Sequence, residues 1–332
     1  MLPLPIFDFH RPRTIAETLS LLAALGDKAQ IIAGGTDLLP NMKQGLFEPE
    51  HVISIQGVDE LKGLRLGRSD EGVETLTIGA GTRLFEIAES LVAQRVAPAL
   101  AQAAGLVGGP HHRAMGTLGG NICLDTRCRY YNQTYFWRKS LGFCLKKDGT
   151  VCHVVKGGAK CVAAASNDSA PALIALDATI GLLGPKGERR VPARDFYTAD
   201  GIKNTVLEAG ELVVSASVPV IAHRTSAFEK LRKRGAIDFP LLSVAARVDH
   251  EPGGNGRLAG LDVVVSALGA RPRRIRAAAK VSPGSSRDRL AETLAQAAFT
   301  ECKPLTNLDD EAEWRREMVP VLVRKAVLRA LG

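Results

Sequence analysis

Six cysteines occur in the chain, and four of them lie in one stretch, CRYYNQTYFWRKSLGFCLKKDGTVCHVVKGGAKC, which opens at Cys128 and closes at Cys161. Cys144 and Cys152 stand between them. Thiols gathered this way hold a metal ion or an iron–sulfur cluster, or pair as disulfides. The N-terminus, MLPLPIFDFHRPRT, has no basic start followed by an apolar run, so a secretory signal is not expected and the chain reads as cytoplasmic. A reducing compartment disfavours disulfides and leaves metal ligation. The spacing is only moderately specific. Zinc and iron–sulfur sites usually include a C-x2-C pair, and none occurs here. A four-thiolate zinc ion that staples a loop therefore stands beside a redox cluster.

Two glycine loops are the other chemistry-bearing segments: AGGTDL, from Ala33 to Leu38, and GTLGGN, from Gly116 to Asn121. Glycine lets backbone approach an anion and turn its N–H groups inward, and each loop adds a threonine hydroxyl. Two such loops can grip a diphosphate from two sides, with Gly35 and Gly119 leaving the room. Neither loop matches G-x-G-x-x-G, which leaves the usual Rossmann reading weak, and neither matches G-x-x-x-x-G-K-[ST], so there is no P-loop. Ordinary turns are the bland alternative.

Net charge is +8, and from Asp125 to Cys161 eight Lys or Arg face two Asp. A local basic patch points to an acidic partner, or to lysines that merely solvate a loop. With five aromatics, Tyr130, Tyr131, Tyr135, Phe136 and Trp137, it also allows a zinc-stapled nucleic-acid-binding module without flavin. We expect the aromatics to pack the stretch onto the rest of the protein, and Lys146 and Lys147 to be exposed.

The elements that must position these residues alternate along the chain. TIAETLSLLAAL has apolar residues one helix face apart, with Thr14 as cap and Glu17 as its capping-box partner. HVISI and TLTIGAGT read as strands, RLFEIAESLVAQ and VAPALAQAAGLV as helices. After Arg190 the pattern changes to consecutive strands, ELVVSASVPV, SAFEKLRKR, LLSVAARVDH and LAGLDVVVSALG, with EPGGNG as a turn. Two helices, RDRLAETLAQAAF and EAEWRREMVPVLVRKAVLRALG, end the chain. No run of about 18 apolar residues occurs, so no membrane span is expected. No Ser-His-Asp set or carboxylate pair suggests hydrolytic chemistry.

FDFHRPRTIAETLSLLAALGDKAQIIAGGTDLLPNMKQGLFEPEHVISI, GTLGGNI, NDSAPALIALDA and SAFEKLRKR followed by DFPLLSVAARV appear in that order. They resemble the FAD-binding medium subunit of the molybdenum hydroxylases, the xanthine dehydrogenase and carbon monoxide dehydrogenase families. The resemblance implies an α+β fold. A two-lobed FAD-binding domain of the PCMH type would span 1–220, and a CO-dehydrogenase-flavoprotein-like domain, a three-stranded sheet plus helices, 225–332. It implies a first flavin loop of Ile31, Ile32, Ala33, Gly34, Gly35, Thr36, Asp37 and Leu38. The second would be Thr117, Leu118, Gly119, Gly120 and Asn121. Val107 and Val213 match apolar contacts, Asp168 a carboxylate and Lys230 a basic residue near the isoalloxazine. From the residues alone, Asp168 is equally a helix cap, and Lys230 an exposed strand charge.

Most of that family runs directly from GGN to the aspartate segment. Here residues 125–165 intervene, as in the 4-hydroxybenzoyl-CoA reductase subgroup, whose insertion carries a [4Fe–4S] cluster. That subgroup's spacings of 16, 8 and 9 fit Cys128, Cys144, Cys152 and Cys161, leaving Cys123 as the odd one out and Cys302 as a buried thiol. The resemblance implies no catalytic residue in this chain. It implies reduced ferredoxin as electron source, relay through cluster and FAD, and reductive dehydroxylation to benzoyl-CoA in another subunit. The partners would be a molybdenum-cofactor large subunit and a small subunit with two [2Fe–2S] clusters, as a dimer of heterotrimers. Nucleic acid and membrane are not expected partners. An oxidatively running molybdenum hydroxylase is the alternative within the class.

Overall fold

The computed structural model describes residues 2–69, 71–253, 257–280, 286–309 and 311–332. The first lobe is a parallel sheet of β1 (Asp8–His10), β2 (Ala29–Ile32) and β3 (His51–Ser54), in the order β1-β3-β2. Helix α1 (Ile15–Leu25) is capped as expected, Thr14 Oγ1 accepting the Glu17 N–H at 3.1 Å. Glu17 reaches one residue past the cap and accepts the Arg13 N–H at 2.6 Å, so the capping box does not close on Thr14. The first glycine loop links β2 to α2 (Leu38–Lys43).

The second lobe is an antiparallel sheet in the order β4-β5-β8-β6-β7. Its strands are β4 (Leu64–Arg68), β5 (Glu74–Gly79), β6 (Thr179–Gly184), β7 (Gly187–Pro192) and β8 (Leu212–Pro219). Packed against it are α3 (Leu84–Glu89), α4 (Leu91–Val96) and α5 (Pro98–Leu106). Ser90 splits the expected RLFEIAESLVAQ helix, because its hydroxyl accepts the Ala93 N–H at 3.3 Å and starts α4. Then come α6 (Pro110–Met115) and α7 (Leu118–Ile122), α8 (Tyr135–Ser140) within the insertion, α9 (Ser169–Ala175) and α10 (Ala193–Phe196). The late strands do not form one sheet. β8 lies between β5 and β6 because Val213, Ala216 and Val218 fill this lobe's core.

The last sheet contains β9 (Arg224–Leu231), β10 (Leu242–His250), β11 (Leu258–Ser266) and β12 (Arg273–Arg274), in the order β12-β11-β10-β9. Three long strands carry it, and a two-residue fourth borders β11. Of the expected turn EPGGNG, residues 254–256 lie outside the described residues. β10 is buried from Leu242 to Val248 because both of its faces are covered. Val244, Ala246 and Val248 pack with α11 (Arg287–Glu301) and α12 (Ala312–Leu331), whereas Ala245 joins the second lobe's core. Cys302 is fully buried there. Among the described residues no helix is long and apolar enough to cross a membrane.

Buried Asn307 holds the insertion to this sheet. Its amide donates to the Val162 carbonyl at 2.7 Å and the Leu268 carbonyl at 3.1 Å, and its own carbonyl accepts the Arg129 N–H at 2.7 Å. Asn307→Leu strands both carbonyl acceptors. We expect it to lower the unfolding free energy by roughly 2–4 kcal/mol in urea and to speed proteolysis within 125–165. Unchanged stability would mean that water replaces the amide.

Candidate functional site

A cavity of about 580 Å³ opens between the lobes and the last sheet, within the roughly 300–1,000 Å³ of cofactor pockets. Ile31 to Leu38 form one wall, and Thr117, Gly119, Gly120 and Asn121 the facing one. Val107, Asp168, Val213 and Lys230 line the rest, so residues up to 199 positions apart in the chain (Ile31 and Lys230) meet here. Leu118 is the one residue of the two expected loops that does not line it. Its side chain is fully buried in the second lobe's core, because it starts α7 facing inward.

The two loops touch through backbone. A Cβ on Gly34 would lie 2.0 Å from the Met115 carbonyl oxygen, so only glycine fits. Gly35 has φ of +71°, which side chains rarely adopt. Among the described residues, the backbone N–H groups of Gly34, Gly35, Thr36 and Asp37 make no hydrogen bond. They are free donors for an anion. The second loop differs from expectation: Leu118, Gly119, Gly120 and Asn121 all spend their N–H groups inside the chain, on Thr82, Ala80, Thr117 Oγ1 and Thr117 O. Gly35 and Gly119 both line the cavity, but a side chain added at either would meet protein atoms. A Cβ on Gly119 would meet Ala80 Cβ at 2.8 Å, and one on Gly35 would meet Ile32 and Leu39 side chains at 3.1 Å. Gly120 is the open one, with Thr117 Oγ1 at 3.2 Å and Ala33 Cβ at 3.8 Å.

Asp168 and Lys230 are both buried and form an ion pair of 2.6 Å. Asp168 precedes α9 but makes no side-chain cap bond, so the cap alternative fails. Lys230 also donates to the Leu106 carbonyl at 3.0 Å, and with 1% of its side chain exposed it is no surface charge. Burial raises Asp168 to about 6 despite the lysine, and burial also lowers Lys230. The second carboxylate oxygen, Oδ1, is buried without a hydrogen-bond partner. An orphaned acceptor on a cavity wall fits a ligand N–H or O–H. Ser169 and Asn167 hold Asp168 in place, Ser169 N–H donating to Asn121 Oδ1 at 3.0 Å and Asn167 Nδ2 to the Ile122 carbonyl at 3.2 Å.

Several lining residues escaped sequence reasoning. Arg127 pairs with Asp37 at 3.3 Å and lies 4.3 Å from the Phe239 ring; it had been counted only as charge. His112 Nδ1 accepts the Gly109 N–H at 3.3 Å, so its other nitrogen carries any single proton. Ile237 and Phe239 come from the loop after β9, where nothing in the sequence marks them. Cys123, flagged only as an odd cysteine, is open to the cavity yet ringed by protein elsewhere, and this burial pushes its thiol up to about 12. Five carboxylates, Asp37, Asp125, Asp168, Glu211 and Asp238, line the cavity against two cations, Arg127 and Lys230. The cavity thus offers an anion unused N–H groups rather than net positive charge.

Cys128, Cys144, Cys152 and Cys161 are buried and line one second cavity. Backbone N–H groups donate to two of the sulfurs: Val155 to Cys152 at 3.4 Å and Ala163 to Cys161 at 3.4 Å. Such bonds favour thiolate, whereas burial pushes the bare Cys128 thiol up to about 11. Gly201 closes one side, since a Cβ there would lie 2.9 Å from the Cys161 sulfur. Among the described residues no group of three or more Cys, His, Asp or Glu is arranged so as to hold a metal ion. The cavity that the four cysteines share has a volume of about 20 Å³.

The surroundings correct two expectations. Lys146 is not exposed: 5% of its side chain reaches solvent, and it pairs with Asp125 at 2.6 Å. Arg138 is equally buried, on Asp148 at 3.1 Å and the Gly45 carbonyl at 2.8 Å. Of the aromatics, Tyr130 and Tyr131 pack with Leu46 and Phe47 of the first lobe. Tyr135, Phe136 and Trp137 are exposed, because α8 turns Arg138 rather than them toward that lobe.

Lys230→Met leaves the Asp168 carboxylate buried without its cation, a loss of about 3 kcal/mol or more. The folded pKa is raised, so between roughly pH 4 and its folded value folded Asp168 holds a proton that the unfolded chain has lost. Stability therefore falls as pH rises through that window, and the variant's penalty should be full at pH 8 and fade toward about pH 4. Denaturant titrations at the two pH values check this; a penalty independent of pH would mean that Lys230 acts only by packing.

Residues 5–221 match the family described as FAD binding domain in molybdopterin dehydrogenase, and residues 226–330 the CO dehydrogenase flavoprotein C-terminal domain. The carbon monoxide dehydrogenase medium chain of Hydrogenophaga pseudoflava is 32% identical, over 98% of this chain and 97% of the relative. The xanthine dehydrogenase FAD-binding subunit of Escherichia coli O157:H7 is 26% identical, over 98% of each chain. A solved structure of the Hydrogenophaga pseudoflava enzyme, in a form lacking the Mo-pyranopterin moiety, superposes with a TM-score of 0.79 at 28% identity, covering 99% of this chain and 98% of the other. The chain belongs to the FAD-binding subunits of the molybdenum hydroxylase family of oxidoreductases.

Proposed function

We propose that this chain is the flavin and iron–sulfur subunit of a cytoplasmic enzyme of the 4-hydroxybenzoyl-CoA reductase type. The observation that carries the iron–sulfur part is the set of four insertion cysteines around one buried cavity, two of them accepting backbone N–H bonds. FAD would supply one- and two-electron redox chemistry, and a [4Fe–4S] cluster one-electron chemistry. The free N–H groups of Gly34 to Asp37 would hold the diphosphate. Asp168 Oδ1 would accept from the isoalloxazine, Lys230 would hold that carboxylate in its ionised form, and Val107 and Val213 would exclude water from the ring. Cys128, Cys144, Cys152 and Cys161 would hold the cluster.

The chain would take electrons from reduced ferredoxin and deliver them to partner subunits, one with two [2Fe–2S] clusters and one with molybdenum. The phenolic hydroxyl would leave there as water, giving benzoyl-CoA. An oxidative hydroxylase remains the second reading, favoured by the names of the relatives. The nucleic-acid reading, which has no flavin, finds no support in a flavoprotein family.

Two measurements test the cofactor assignments. Serine at Cys128, Cys144, Cys152 or Cys161 should each cost roughly four iron atoms per chain, and serine at Cys123 or Cys302 none. Stoichiometric zinc in place of iron would overturn the cluster. Gly120→Val places methyls between the two loops, and FAD affinity should fall at least about tenfold while the apoprotein unfolds at nearly the same temperature. Normal flavin content in that variant would move the diphosphate elsewhere.

A further inference from the structure

Three exposed aromatics stand on the insertion, and among the described residues their ring contacts are with rings and side chains of the insertion itself. Phe136 is 80% exposed, Tyr135 43% and Trp137 38%. An exposed run of large aromatics is uncommon on a solvated surface and marks an interaction site. Trp137 is not isolated from the interior. Its ring lies 6.5 Å from that of Tyr130, which lies 5.2 Å from the His153 ring. Tyr130 and His153 both line the cysteine cavity. A continuous layer of rings thus runs from the surface to the four thiols. Lys139 follows Phe136 by three positions on α8 and shares its face. Lys139, Lys156 and Lys160 are exposed, and none forms an ion pair among the described residues.

We propose that α8 and its flanking lysines form the docking face for a small acidic electron-carrier protein. The inference rests on the reading of the cysteine cavity as a redox centre, and adds where the partner binds. Charge decides against a second copy of this chain, which at +8 would bring like charge to the lysines. Size decides against a permanent subunit: a six-residue helix and its flanks suit transient redox encounters, under about 1,200 Å², rather than the 2,000 Å² or more of obligate interfaces. The lysines steer the encounter and Phe136 supplies the desolvated centre. Lys146 takes no part, being consumed by Asp125.

The test is binding, independent of turnover. The purified complex is titrated with an oxidised acidic ferredoxin by calorimetry, and its iron content is measured in parallel. Phe136→Gln and Lys139→Glu should each weaken binding about tenfold at low salt with iron unchanged, and Lys303→Glu, at an exposed site in another part of the chain, should bind as the parent does. Parent affinity should fall as salt rises. Equal affinity in all variants, or no binding by an iron-replete parent, overturns the docking face and leaves the cluster assignment standing. The expected losses in a protein without iron would support the face and sink the cluster. Dissociation of the complex by Phe136→Gln, read from its native mass, would make this face a subunit contact and overturn the proposal.

Discussion

The buried pair between Asp168 and Lys230 is the constraint around which the site is organised. A carboxylate and an ammonium without water are tolerable only in direct contact. That contact requires the segment after the insertion and the first strand of the last sheet to meet at one wall of the cavity. Lys230 further binds the Leu106 carbonyl, which brings the end of α5 to the same point. Val107, Gly108 and His112 follow directly and line the cavity too. One electrostatic requirement thus joins three distant segments, and it leaves one carboxylate oxygen without a hydrogen-bond partner.

Backbone contact does for the loops what charge does for the wall. Gly34 against Met115 brings the two glycine loops within touching distance, and any side chain there would separate them. The loops divide the labour. The first keeps its N–H groups free, while the second uses its own to anchor itself on Ala80 and Thr82. A rigid wall opposite a donor-rich one can receive an anion without reorganising, which lowers the entropic cost of binding.

The insertion is built by similar means on a smaller scale. It is held by buried charges, Lys146 on Asp125 and Arg138 on Asp148 and Gly45, and by a buried amide, Asn307 on the Val162 carbonyl. These use up part of the local positive charge that composition advertises. The aromatics divide likewise, two inward over the thiols and three outward.

The sequence by itself determined the element types, the family resemblance, the two loops and the set of four cysteines, because these depend on local periodicity, on glycine and on short spacings. It also named Asp168 and Lys230, though only by resemblance. What it left open was direction. A cap and a buried ion-pair partner look alike in NDSAPAL, and an exposed lysine and a buried one look alike in EKLRKR. Whether a side chain at Gly119 or Gly120 would find room, whether Lys146 reaches solvent, and which sheet receives β8 depend on neighbours far along the chain. Burial and pairing are properties of those neighbours, and only the tertiary structure supplies them.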